Sequence, residues 1–392
     1  MKVARRTLAL AVAAIAVTAT ACSSTPSSPS SSAPPGSGAA AATSTVPTMS
    51  ATEIQSLAKA SAAKAGPPVA VPTKTIGYLR FAAESPADQR VYSAFVSAAG
   101  LLGWKVIPCD GAGDPTKFAA CGNTLLNQQI DALVNDGIPP SLIAPALARA
   151  KTMGIPTIFT GGDPGGDPGA YSAGWVPPDG EMGKVLATYT VDQLKGKNGG
   201  IIVQGYPTPW GTVRTDALKA AAGPANIPIV SEQEADATNL VAGTESQMAA
   251  QLNAHPAAKG MWITFETGVI GASQAIQAKL PGKSFPNRPL LVTFYANLPT
   301  LQLIGAGKVD AAVEDSLEWS SWVAVDQLAE FFARKSAFDK NVRPDYGSGL
   351  DFWRPTLVTK DNLPKEGQLV PPPVDYQGFF KAKWKTEFNI TG

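Results

Sequence analysis

From residue 74 onward, short apolar runs alternate with longer segments whose apolar residues recur at helical spacing, and this alternation constrains the fold more than any other feature. KTIGYLRF (74–81), KVIPCD (105–110), DALVND (131–136) and IPTIFTG (155–161) read as strands bounded by turn residues, with AYSAGWV (170–176) as a fifth. In 86–104, Val91, Phe95, Ala98, Leu101 and Leu102 share one helical face. Asp114 and Pro115 supply an N-cap and a first-turn proline for a helix over 115–129, and PSLIAPALARAKTMG (140–154) is a third helix. The alternation restarts at a helix over 177–196. It runs through strands at 199–207, 227–236, 260–266, 289–297 and 310–317 to a long amphipathic helix at 319–335. Strands alternating with helices predict parallel sheets covered on both faces. Two such runs, in a body too long for one ordinary core, predict two lobes.

The N-terminus reads differently. Met1 to Ala21 places Lys2, Arg5 and Arg6 before an alanine-rich apolar run too short for a good permanent membrane span, the pattern of an export signal. It stops at Ala-Thr-Ala-Cys, which resembles the lipobox of bacterial lipoproteins, with Ala19 where leucine is usual. That resemblance implies that Cys22 is lipidated and becomes the mature N-terminus. Residues 22–73, rich in Ser, Pro and Ala, are expected to form a disordered tether, with 51–65 a weak helix inside it. In an exported chain the remaining cysteines, Cys109 and Cys121, suggest a disulfide, the alternative being two buried thiols. Net charge is +1 with no basic stripe, which argues against nucleic acid. There is no G-x-S-x-G, no metal-ligand cluster and a single histidine, His255, at a predicted helix end. No enzyme activity, metal or cofactor is therefore expected.

Three segments carry a family resemblance. TIGYLRF is followed by a proline-led helix ending in LGWKVIPCDGAGDPTK; QQIDALVNDGIPPSLIAPALARAKTMGIPTIF follows; LVTKDN (357–362) closes the series. In order and spacing they resemble type I periplasmic solute-binding proteins, especially the ribose- and galactose-type sugar-binding cluster. Repressors of the same fold need an N-terminal helix-turn-helix, where this chain has a lipobox and a spacer. The resemblance implies an α/β fold: two doubly wound parallel-sheet lobes joined by a three-crossing hinge, with the ligand cleft between them. Its expected boundaries are 1–21 signal, 22–73 tether, 74–176 plus 316–352 first lobe, 177–315 plus 353–363 second lobe, and 364–392 a C-terminal extension. That extension either packs on a lobe or meets a partner.

Ligands of open α/β sheets sit beyond the carboxyl ends of the strands, so IPTIFTGGDPGGDPG (155–169) should reach the cleft. It is no phosphate cradle, because neither a Lys-Ser/Thr pair nor a helix follows at once, and no tandem repeats support a calcium site. Family sugar binders usually offer an aspartate–arginine pair where this chain has Gly161 and Gly162. These glycines are either a surface turn or a means of enlarging the cleft rim. Carried over one at a time, the resemblance implies ligand contacts at Asn135, Arg214 and Asp315. Phe265, with Glu266 beside it, stands where a polar group is usual, and Tyr295 where an aspartate is usual. Phe81, Trp210 and Trp319 complete the candidates, each aromatic being either core or ligand platform. Together they suggest a sugar or a less polar, aromatic-compatible solute. The implied function is a monomeric, lipid-anchored protein on the outer face of the cell membrane that passes a small solute to an ABC importer permease. The alternative is a sensor that presents its closed form to a membrane receptor.

Overall fold

The computed structural model describes residues 49–166, 169–347 and 350–390. The signal over 1–21, the lipidation of Cys22 and the first part of the tether lie outside them.

The first sheet contains β1 (Thr75–Arg80), β2 (Lys105–Asp110), β3 (Ala132–Asp136), β4 (Thr157–Thr160) and β5 (Ala173–Gly174), in the order β2-β1-β3-β4-β5. All its pairings are parallel. Before it stands α1 (Ala51–Ala65), and α2 (Pro86–Leu101), α3 (Pro115–Leu126) and α4 (Ala144–Thr152) connect its strands. Side chains cap the first turns of α2 and α3: Ser85 Oγ accepts from the Asp88 N–H, and the Asp114 carboxylate from that of Thr116. The expected helix over 140–154 begins as a short 3-10 turn at Pro140–Leu142, because Pro145 cannot donate into a continuous helix.

The second half contains α5 (Asp179–Leu194), β6 (Ile201–Gly205), α6 (Pro209–Ala222), β7 (Ile229–Glu234), α7 (Leu240–Ala254), β8 (Gly260–Ile263), α8 (Glu266–Lys279), β9 (Leu290–Phe294), α9 (Leu298–Gly305) and β10 (Ala311–Glu314). Then come α10 (Trp319–Arg334), β11 (Thr356–Thr359) and α11 (Tyr376–Glu387). The second sheet runs β11-β10-β9-β8-β6-β7, and only β11 is antiparallel. Central strands β8, β9 and β10 are buried at every residue, as a sheet sandwiched between helix layers requires.

Two expectations need correction. The weak helix expected over 51–65 is present as α1, but it packs on the body and is not an element of a disordered tether. Ser50 and Glu53 make a reciprocal capping box, and Ile54, Ala58 and Ala62, four apart, are buried. Averaged composition hid a three-residue apolar stripe that has a partner, α11. The chain also makes a further passage between sheets. After β11 joins the second sheet, α11 returns to pack on α1 and α10 in the core of the first. Cys109 and Cys121 are joined, their Cα atoms 5.5 Å apart, which ties β2 to α3.

The tail that returns is anchored by charge as well as by apolar surface. Asp326, on α10, is fully buried. It accepts hydrogen bonds from Lys383 Nζ (2.7 Å), Trp384 Nε1 (2.6 Å) and Tyr346 Oη (2.9 Å). Trp384 stacks on Trp322 with centroids 5.5 Å apart.

Candidate functional site

The facing ends of the two sheets enclose a cleft. From the first half come Phe81, just past β1, Ser85, Ala87, Asp88 and Val91 at the start of α2, Asp136 and Gly137 at the end of β3, and Gly161 after β4. From the second come Trp210 and Arg214 on α6, Phe265 before α8, Tyr295 after β9, and Leu317. Its free volume is about 30 Å³. That is room for a water or two, and a larger ligand requires the halves to part.

Hydrogen bonds span the cleft. Trp210 Nε1 donates to the Gly137 carbonyl at 3.1 Å, and Ser85 Oγ donates to Glu266 Oε1 at 2.8 Å. Arg90, on α2, donates to Glu314 (2.7 Å), Glu318 (2.7 Å) and Asn297 (2.8 Å). Phe81 meets Tyr206, Trp210 and Phe265 in one aromatic cluster, with Tyr206 stacked on Trp210 at 4.8 Å.

The glycine-rich turn now has a physical reason. A Cβ at Gly161, where φ is +81°, would sit 1.7 Å from Asp136 Oδ1, and one at Gly162 would sit 2.7 Å from Trp210 Cδ1. The turn is bare because a carboxylate and an indole occupy the space its side chains would need.

Arg214 is the polar hub of the second half. Although 1% exposed, it donates to Asp179 Oδ1 (2.8 Å), the Thr264 carbonyl (2.8 Å) and Tyr295 Oη (2.7 Å). Its guanidinium also lies 4.7 Å from the Trp210 ring centroid and 4.6 Å from that of Phe294. Tyr295 holds φ at +57°, a left-handed conformation costly for a bulky residue, pinned by its N–H bond to the Val313 carbonyl at 2.7 Å.

Five of the nine ligand-contact candidates therefore line the cleft: Phe81, Trp210, Arg214, Phe265 and Tyr295. The other four do not. Asn135 faces away, donating to the Ile138 carbonyl at 2.8 Å and to the Tyr171 hydroxyl. Glu266 is buried behind the wall, held by Ser85 and the Ala87 N–H. Trp319 belongs to the first-sheet core, and its indole N–H bonds Asp315 at 3.0 Å. Sequence reasoning missed Asp88 and Asp136. Neighbouring residues on a strand point opposite ways, so carrying an asparagine contact to position 135 selected the side turned from the cleft, and Asp136 is the residue turned toward it.

Burial dominates the acids here. It raises Asp136 well above the carboxylate range, with the Asp88 charge adding to the shift, and raises Asp88 to about 6 against the pull of Arg80. Burial likewise raises Glu266 and Asp179. Asp315 is pushed up to about 8 by burial, opposed by its bond from Trp319. The folded state therefore keeps a proton at Asp315 that the unfolded chain releases near pH 4. Stability from this group is fully present below pH 4 and is lost as pH rises toward 8, by about 1.4 kcal/mol per unit. Asp315→Asn preserves an oxygen acceptor for Trp319 and cannot ionise. Urea midpoints between pH 5 and 8 are expected to fall less steeply in the variant by that slope; an unchanged slope refutes the assignment.

A family model described as a periplasmic binding protein domain matches residues 76–335. The fold is similar to that of a galactofuranose binding protein (18% identity, TM-score 0.64), covering 80% of this chain and 99% of that one. An ABC transporter solute binding protein from Mycobacterium smegmatis, with bound glycerol, is 22% identical with a TM-score of 0.64, covering 76% and 100%. A periplasmic ribose ABC transporter protein from Conexibacter woesei is 19% identical with a TM-score of 0.60, covering 76% and 94%. No curated protein matches.

Proposed function

We propose that this chain, which belongs to the periplasmic binding protein family, captures a small polyhydroxylated solute outside the cytoplasm and hands it to an ABC importer. One observation carries the reading: the cleft is lined from both halves, and hydrogen bonds from Trp210 and Ser85 cross it. A solute bound there would be gripped from two sides, and closure around it would give a permease a distinct surface to recognise. The similar structures support the solute class, since their names specify galactofuranose, glycerol and ribose. Buried carboxylates and a guanidinium beside aromatic walls suit hydroxyl groups and ring faces. Cys22 would supply the lipid anchor that keeps the protein beside its permease, and a monomer suffices for the task. Phe81, Trp210, Arg214, Phe265 and Tyr295 would contact the solute.

The test is thermal stability of the full-length protein against furanoses, pentoses and linear polyols, paired with uptake of any hit by a strain lacking the gene. A ligand at a hundred times its Kd stabilises by about 2.7 kcal/mol, which a melt resolves. Binding with loss of uptake supports the importer role. Binding with normal uptake favours the sensor, and no binding with normal uptake overturns the capture reading.

A further inference from the structure

The cleft carries more acidic than basic side chains, and two of the acids meet each other. Asp88, Asp136, Asp179 and Glu266 line it or support its wall, against two guanidiniums, Arg80 and Arg214. Arg80 pairs with Asp88, its Nε donating at 2.6 Å, and Arg214 pairs with Asp179. Glu266 receives Ser85 Oγ and the Ala87 N–H on one oxygen, and its Oε2 has no partner. Asp136 is 4% exposed and lines the cavity, and among the described residues the side chain hydrogen-bonded to its carboxyl is that of Asp88, another acid. Two carboxyls can share that bond only with a proton between them, and their charges repel once it is lost. Phe81, Trp210 and Phe265 wall the same space with apolar rings, so ionising both acids there without a cation beside them is costly.

We propose that the captured solute carries an ammonium group, seated against Asp136 and Asp88 beneath the aromatic wall. This rests on the reading of the cleft as the solute site and narrows its substrate class. A protonated amine donates to both carboxyls, takes the place of the proton they share and offsets the charge its loss leaves. A divalent metal ion fits less well: it takes six or more oxygen ligands, and this wall offers two carboxylates among apolar rings. An aminated sugar and a small alkylamine share the ammonium chemistry, and the assay separates them.

The experiment is calorimetric titration of the full-length protein with matched pairs: glucose and glucosamine, galactose and galactosamine, butanol and butylamine. In at least one pair the ammonium member is expected to bind about tenfold more tightly or better, the ratio a charge-assisted hydrogen bond supplies. Preference among the sugar pairs alone identifies an aminated sugar; preference for butylamine identifies a simpler amine. Asp136→Asn should erase the preference while leaving the melting temperature of the free protein near or above its original value. Should that variant fail to fold, Asp88→Asn serves the same comparison. Equal binding of charged and neutral members, a preference surviving both variants, or no binding by any ammonium member overturns the proposal. If neutral sugars bind and amines gain nothing, solute capture stands and only the ammonium falls. If neither class binds and gene deletion leaves uptake intact, the capture reading fails with it.

Discussion

Deleting residues 364–392 is expected to leave a chain that does not fold cooperatively, although those residues lie beyond both sheets. Val374, Tyr376, Phe379, Phe380, Trp384 and Phe388 are all buried in the first-sheet core. Each large apolar side chain removed from water contributes about 1.5–3 kcal/mol. Even with a discount for a compact unfolded state, their sum is comparable to the whole net stability of a domain, about 5–15 kcal/mol. The deletion also strips Lys383 from Asp326 and leaves a buried carboxylate unpaired. Far-UV circular dichroism during a urea titration is the check. A truncated chain with the original midpoint would show that the tail is an appendage and that the packing carries no stability.

Arg214→Ala is expected to cost about 3–5 kcal/mol of stability and to abolish ligand-induced stabilisation. The cost arises because Asp179 is left charged, 3% exposed and unpaired. Tyr295, held at φ +57°, loses the donor to its hydroxyl, and Trp210 loses the cation lying over its ring. Arg214→Lys should rescue little, because a single ammonium cannot reach Asp179, Thr264 and Tyr295 at once as the planar fork does. Urea midpoints measure the stability term. The double variant Arg214→Ala/Asp179→Asn should recover part of it, since the stranded charge is gone. Full stability in the single variant would mean that Asp179 holds a proton in the folded state and needs no guanidinium.

The candidate site was legible where residue type and strand end coincided. Phe81, Trp210, Phe265 and Tyr295 are large aromatics next to predicted strand ends, and all four reach the cleft. Trp319 met the same description and is core, because α10 turns it onto Trp353 in the first lobe. Asn135 and Asp136 show the finer limit: a shift of one residue reverses the facing of a side chain, and spacing in the chain does not state which of two polar neighbours looks inward.

Hydrophobic periodicity alone determined the alternating strands and helices, the parallel sheets they imply and the division into two lobes, because each of those properties is encoded in neighbours a few residues apart. Tertiary structure alone decided that α1 docks on α11, that the tail crosses back to finish the first core, and that Asp136 meets the bare turn at Gly161. Each of these is a contact between segments far apart in the chain. Its free energy comes from surface and charge buried jointly, which neither segment carries by itself.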